Sequence, residues 1–222
     1  MLVDHMSAAF LPETSNVYSL LRFTIGRISY PLFLVVFIEG FFYTKNRKKH
    51  LRDLLLFGLI SEPVFDFAIF GKWVYWGHQN VLLSFFLCFL MLCCFEKVDE
   101  RKNKSTLNTM FFNVFVYLVF CVLAYITKVD YDLIAIMCMT ILYVEYKEDK
   151  NIEPYKLGIL VSTIISIFTL NPFSFLSVPI LYFYDRNKFV IKRSKGFLKY
   201  VFYVAYPFHL AIISLIKCAF KM

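Results

Sequence analysis

The stretch ISYPLFLVVFIEGFFYTKNRKKHLR, residues 28–52, decides the fold of this chain. Its apolar part contains one charged residue, Glu39, whereas the segment 45–52 carries five lysines and arginines. An apolar run that ends in a basic cluster is typical of a membrane helix that stops at the cytoplasmic surface. With the residues before it, the run covers 18–43 and is long enough to cross a hydrocarbon core of about 30 Å at about 1.5 Å per residue.

The composition of the whole chain indicates the same class of protein. Of its 222 residues 59% are hydrophobic and 20% aromatic, and the mean hydropathy is +0.63. Soluble domains are only about 45–50% apolar, so this chain has more apolar surface than one soluble core can bury. Basic cytoplasmic loops explain the net charge of +8, and we therefore expect no nucleic-acid partner.

Nine apolar runs predict an all-α fold, a polytopic transmembrane helical bundle of about nine membrane segments. The runs are 1–11, 18–43, 51–70, 80–95, 107–126, 131–146, 155–170, 173–184 and 197–220. The first run covers only about 16 Å at helical rise, so we expect it to be truncated or half-inserted. No soluble domain and no internal repeat is visible, and residues 1–222 are interpreted as a single integral-membrane domain.

The distribution of lysine and arginine predicts the topology of the bundle. Alternate loops hold 18 of these residues, whereas the loops on the opposite side and the C-terminus hold four. The positive-inside rule places the loops with 18 in the cytoplasm. We therefore expect a multi-pass protein of the cell membrane, with the C-terminus outside.

Ionisable side chains inside the predicted spans are the candidates for function. Such groups are costly in hydrocarbon and usually face the interior of the bundle. They are Asp4, His5, Arg22, Arg27, Glu39, Glu62, Asp66 and His209, with Asn80 at the mouth of the fourth run. Helix rise places most of them between the midplane and the external face, and Glu39 near the cytoplasmic end.

A histidine close to the midplane, with carboxylates nearby, is suited to general-base chemistry, because its ordinary pKa of about 6.5 allows it to take a proton near neutral pH. Histidine, acid and arginine groups also occur in proton-coupled transporters, and a non-catalytic membrane assembly subunit is a third possibility. The six cysteines lie in apolar runs without CxxC spacing, so we interpret them as packing residues. No spacing supports a metal site, and we expect none.

Several ordered motifs resemble the TraX family, and together they cover most of the chain. They are VDHMSAAF (3–10), GRISYPLF (26–33), EGFFYTKNRKK (39–49), SEPVFDF (61–67), QNVLL (79–83) and FYVAYPFHL (202–210). In family members further residues precede the Asp-His pair, so the resemblance implies that the first helix begins upstream of Met1.

The resemblance implies an integral-membrane N-acetyltransferase that uses acetyl-CoA as co-substrate, as in the acetylation of conjugative pilin. An O-acetyltransferase is also possible. The family is broader than pilus modification, so a peptide, a pilin-like protein and a glycan all remain possible acceptors, reached from the external side across the lipid bilayer.

The family motifs and the depth estimates lead to a hypothesis for the site. We expect the catalytic residues to be His5, Asp4, Arg27, Asp66 and His209. We expect CoA phosphates to bind Lys45, Arg47, Lys48, Lys49 and Arg52. Further polar groups that bind substrate or support the site are Glu39, Glu62, Asn80 and Tyr206.

Within this hypothesis, His5 removes a proton from the acceptor, either in direct transfer or with an acyl-histidine intermediate. Neighbouring residues on a helix do not face each other, so Asp4 is not expected to orient His5. We expect Asp66 or His209 to do so, and Asp4 to pair with Arg27 or with another helix. Arg27, Asn80 or His209 would stabilise the oxyanion.

Overall fold

A computed structural model of the chain describes residues 1–12, 14–100, 106–185 and 198–220. Within these ranges it contains nine helices and no β-strand, which confirms the all-α bundle. The helices are α1 (Leu2–Phe10), α2 (Asn16–Tyr43), α3 (Arg47–Phe70), α4 (Val81–Asp99), α5 (Thr106–Thr127), α6 (Asp132–Glu148), α7 (Pro154–Thr169), α8 (Pro172–Tyr182) and α9 (Leu198–Phe220). Each corresponds to one of the nine apolar runs.

Helix length and composition agree with a membrane location. Helices α2, α4 and α5 are each long and apolar enough to cross a membrane. Helix α3 has 24 residues and begins with a basic turn, and it ends at Gly71, whose φ of 68° lies in the left-handed region that favours glycine. Helix α5 is mostly unburied within the protein and exposes large apolar side chains such as Leu107 and Phe111, which is the surface that lipid would cover.

The helix ends form two chemically different faces of the bundle. At one end Arg47 pairs with Glu96 at 2.6 Å and Lys147 pairs with Asp99 at 2.5 Å. At the other end the loop 71–80 contacts the turn before α6, where the backbone N–H of Gln79 donates to the carbonyl of Lys128. We call the first the basic end and the second the outer end. The assignment of the basic end to the cytoplasm stays a prediction.

Helices α2 and α3 are joined by a short turn but pack in different halves of the bundle. Helix α2 packs against α6, α7 and α8, whereas α3 packs against α9 and α4. The short helix α1 contacts the π-helical turn of α2, α3 and α9 at once.

Candidate functional site

His5 on α1 and His209 on α9 form a hydrogen-bonded pair. Their Nδ1 and Nε2 atoms, respectively, are 2.8 Å apart, and the two rings are nearly parallel, with centroids 5.1 Å apart. The other ring nitrogen of His209, Nδ1, lies 2.9 Å from the carbonyl oxygen of Ala205. The pair brings His209 into contact with His5, and the role of His209 in orienting His5 stays a prediction.

The carbonyl of Ala205 determines which nitrogens of the neutral pair carry protons. A carbonyl oxygen only accepts, so Nδ1 of His209 must donate to it, and Nε2 of His209 is then left to accept. His5 consequently donates from Nδ1, and its Nε2 keeps the free lone pair. This assignment follows from the hydrogen-bond network, and it leaves one basic nitrogen on His5.

Aromatic rings from two further positions surround His5. Phe65 of α3 and Tyr206 of α9 both meet the imidazole edge to face, with centroids 6.1 Å and 6.0 Å away. Three helices therefore hold His5 in place. Because Tyr206 is buried, the expected polar residue of the terminal motif does line this site, where its ring packs against both histidines.

Asp66, the other candidate for orienting His5, has a different partner. Its Oδ2 accepts a hydrogen bond of 2.6 Å from the backbone N–H of Tyr75, and so it fastens the loop 71–80 to α3. Its second oxygen, Oδ1, is buried, and no donor reaches it in the described ranges. The expectation that Asp66 is the orienting group is therefore wrong, since His209 makes the contact with His5.

The expected ion pair between Asp4 and Arg27 is also wrong. Within residues 1–12, 14–100, 106–185 and 198–220, no acidic oxygen lies within 4.0 Å of Arg27. Its Nη1 donates to the hydroxyl of Tyr131 at 3.2 Å, and its guanidinium lies 5.8 Å from that ring. Asp4 instead packs on Gly26, where a Cβ would be 2.6 Å from the Asp4 carboxylate. Aromatic groups thus take the place of the carboxylate.

Asn80 clamps Glu62 at the start of α4. Its Nδ2 donates to Glu62 Oε2 and to the carbonyl of Gly58, and its backbone N–H donates to the same Glu62 oxygen at 3.2 Å. Its Oδ1 caps α4 by accepting from the N–H of Leu82. Both amide hydrogens of Asn80 are in use, so in this arrangement the expected oxyanion donor has no free N–H.

The outer end contains a histidine that the sequence did not single out. His78 Nε2 lies 3.4 Å from Asp130 Oδ1, and the His78 ring lies 6.0 Å from Phe65, which also contacts His5. The hydrogen bond to Asp130 raises the pKa of His78 above its ordinary value, although burial opposes the shift. A histidine in a loop has no helical periodicity that would have marked it.

At the basic end, Arg47 and Arg52 have acidic partners within the described ranges. Arg47 binds Glu96 and the carbonyl of Phe41, and its guanidinium stacks on the Phe41 ring at 3.8 Å. Arg52 binds Asp53 at 3.0 Å. The side chains of the three lysines remain exposed at the surface, namely Lys45, Lys48 and Lys49. Their role toward CoA stays a prediction.

The basic end also buries polar groups that sequence reasoning missed. His50 is 4% exposed, and its Nδ1 lies 2.8 Å from the hydroxyl of Tyr203. Asp53, one helical turn later, is equally buried. His50 was counted in the basic segment 45–52, and Asp53 lay in the apolar run 51–70 but was not singled out. Their spacing of three on the face of α3 was the signal that could have found them.

Glu39, which was expected here, is buried and accepts from the hydroxyl of Tyr184 at 3.0 Å.

Comparison with known proteins assigns the chain to a family. The profile of the TraX protein family matches residues 1–217. The chain belongs to the TraX family. A protein of Dichelobacter nodosus named probable fimbrial assembly protein FimC, serogroup H1, is 27% identical to this TraX-family chain over 241 aligned residues, which cover 100% of the chain and 91% of that protein. No solved structure matches it.

Proposed function

We propose that this TraX-family chain is an integral-membrane acetyltransferase, which moves an acetyl group from acetyl-CoA to an amine acceptor, with a hydroxyl acceptor as the alternative. The observation that carries the proposal is the His5–His209 pair, 2.8 Å apart between helices α1 and α9. A histidine with one defined basic nitrogen, held by a second group that is itself oriented, has the arrangement that nucleophile activation requires.

The proposed reaction uses the free nitrogen of His5. The acceptor nitrogen attacks the carbonyl carbon of the thioester, and His5 Nε2 takes the proton that this nitrogen loses. The C–S bond then breaks, and His5 returns the proton to the sulfur, which leaves as the thiol of CoA. In the acyl-histidine variant, His5 Nε2 attacks the thioester first, and the C–S bond breaks to release the CoA thiolate. The acceptor nitrogen then displaces His5 from the acetyl group, and the proton that it loses goes to the thiolate. His209 acts through His5 in both cases and is a positioning residue.

Arg27 is the group that we propose for the developing oxyanion. Its Nε is buried and has no partner in the described part of the chain, whereas Nη1 is held by Tyr131. A donor aimed at an oxyanion contributes about 10²–10³ in rate. The rings of Phe23 and Tyr131 lie against the guanidinium, which has no carboxylate partner in the described ranges, and they leave its Nε–H without a partner.

The donor and the acceptor would enter from opposite ends. The basic end carries Lys45 and Lys48 for CoA phosphates, and the positive-inside rule places it in the cytoplasm. The His5 site lies toward the outer end, beside the loop that holds His78. The relative named as a fimbrial assembly protein favours a pilin-like protein as the acceptor, while a peptide or a glycan remains an alternative acceptor of the same chemistry.

The test is acetyl transfer by the full chain in proteoliposomes, with radiolabelled acetyl-CoA and a peptide that carries a free terminal amine. We expect transfer by the wild type and by Cys218→Ala, an exposed cysteine outside the site. We expect His5→Ala to lose at least about a hundredfold in kcat. Full turnover by His5→Ala contradicts the assignment. Proton-dependent uptake without any acetyl transfer would support a transporter, and the absence of both would support a non-catalytic assembly subunit.

A further inference from the structure

A second buried polar group lies at the basic end, apart from the histidine pair. We call it the inner cluster. Its buried members are Glu39 of α2, His50 and Asp53 of α3, and Tyr203 of α9. Tyr203 contacts His50 at 2.8 Å, and Tyr184, which is half-buried just after α8, donates to Glu39 at 3.0 Å. Four buried polar groups inside an apolar bundle need a reason beyond packing.

Asp53 supplies the observation that points to a ligand. Its side chain is 5% exposed, and its Oδ1 accepts from the guanidinium of Arg52. Its Oδ2 is buried, and within the described ranges no group donates to it. A buried carboxylate oxygen without a donor is rare in native proteins, and a water, an ion or a functional role commonly accounts for it.

Along α3 and α9 the inner cluster lies between the basic end and His5. Tyr203 precedes His209 by six residues on α9, about 9 Å of helix rise. Asp53 precedes Phe65, the ring that contacts His5, by twelve residues on α3, about 18 Å. Glu39 approaches from α2, which packs in the other half of the bundle. The cluster therefore occupies the depth that the arm of a bound CoA would have to cross.

We propose that the inner cluster binds the pantetheine arm of the acyl-CoA donor, with Asp53 Oδ2 accepting from an amide N–H or the hydroxyl of that arm. This inference rests on the proposed function. Carboxylates make strong hydrogen bonds to neutral N–H and O–H donors. The carboxylates of Asp53 and Glu39 would repel the phosphates, which then stay outside with Lys45 and Lys48. The cluster thus selects an uncharged, amide-bearing arm.

The test compares donors of different length on the full chain in proteoliposomes. The donors are acetyl-CoA, S-acetylpantetheine and ethyl thioacetate, and the last has no N–H or O–H group. The variants are Asp53→Leu, Asp53→Asn, which keeps one acceptor oxygen, and Glu148→Gln as a control at an exposed carboxylate of the same end.

We expect Asp53→Leu to raise KM for acetyl-CoA and S-acetylpantetheine about tenfold, with kcat within about twofold and KM for ethyl thioacetate unchanged. Asp53→Asn should raise these KM values less than Asp53→Leu does, and Glu148→Gln should leave them unchanged. Equal KM of wild type and Asp53→Leu for acetyl-CoA overturns the proposal, as does an equal rise for all three donors. Equilibrium binding of radiolabelled CoA separates the proposed acetyltransferase activity from the proposed binding role of the inner cluster. If the wild type transfers no acetyl group but binds CoA, and Asp53→Leu weakens that binding, the binding role stands without the activity. If the wild type does not bind CoA, the binding role is overturned.

Discussion

Nδ1 of His5 lies 2.8 Å from Nε2 of His209, although 204 residues separate them in the chain. The carbonyl of Ala205, 2.9 Å from the other nitrogen of His209, fixes the direction of both hydrogen bonds. One carbonyl on α9 thereby decides which nitrogen of a histidine on α1 is basic. This relay is the basis for treating His209 as a positioning residue.

Substitution of His209 should lower kcat more than it raises KM. His209→Ala removes the acceptor that holds His5 Nδ1–H, and we expect a loss of about 10²-fold in kcat. His209→Gln offers a side-chain oxygen to the same hydrogen and should recover about tenfold of that loss. Acetyl-transfer kinetics of both variants checks this. Equal kcat for the two variants would show that His209 does not act through the hydrogen bond.

Gly26 permits the close approach of Asp4 to α2, and Gly26→Ala should destabilise the protein. The new Cβ would lie 2.6 Å from the Asp4 carboxylate, and overpacking of this kind costs about 1–3 kcal/mol. The measurement is thermal unfolding in detergent. Combining Gly26→Ala with Asp4→Ala should restore most of the loss, because the clashing side chain is gone. Additive losses in the double variant would contradict the contact.

The clamp of Asn80 on Glu62 predicts that Asn80→Asp destabilises the protein and that removing the charge of Glu62 restores stability. Asn80→Asp keeps the helix cap but places a second carboxylate against Glu62, so we expect a loss of about 1–3 kcal/mol in unfolding free energy. Adding Glu62→Gln should recover most of this loss. The double variant, compared with both single ones, gives the coupling energy, and a coupling near zero would rule out the clamp as a stabilising contact.

The His78–Asp130 pair predicts a pH dependence of stability at the outer end. Asp130 raises the pKa of His78 in the folded protein above its unfolded value, and nearby Asp132 and Glu62 act in the same direction. The stabilisation is therefore complete below about pH 6.5 and is lost as pH rises through the raised pKa. Thermal unfolding across that interval should show a decline that His78→Gln abolishes. An unchanged slope in His78→Gln would exclude this pair as its cause.

The helices were predictable from the sequence, whereas the contacts between them were not. Each apolar run became a helix because charged residues and turns delimit it and the membrane leaves a backbone no other way to satisfy its hydrogen bonds. Which carboxylate or imidazole would meet His5 depended on the packing of α9 against α1 and α3. No local pattern contains that information.

The absence of the expected ion pair of Arg27 with Asp4 shows why contacts between helices could not be predicted from the sequence. A charge count in the membrane predicts an acidic partner for an arginine, and Asp4 does lie against the neighbouring Gly26. The guanidinium nevertheless turns to Tyr131, which belongs to the turn before α6 and is itself stacked on Tyr30 at 3.5 Å. His50 and Asp53 were missed for a related reason. They lie in or beside the basic segment 45–52, so the burial of their side chains was not expected from the sequence.

The most direct test is transmembrane acetyl transfer in sealed proteoliposomes. Radiolabelled acetyl-CoA is supplied at the basic end and an amine-terminated peptide at the outer end, and label on the peptide is measured for the wild type, His5→Ala and Cys218→Ala. We predict labelled peptide with the wild type and with Cys218→Ala, and a loss of at least about a hundredfold with His5→Ala. Undiminished labelling by a folded His5→Ala protein would contradict the central claim that His5 carries the chemistry.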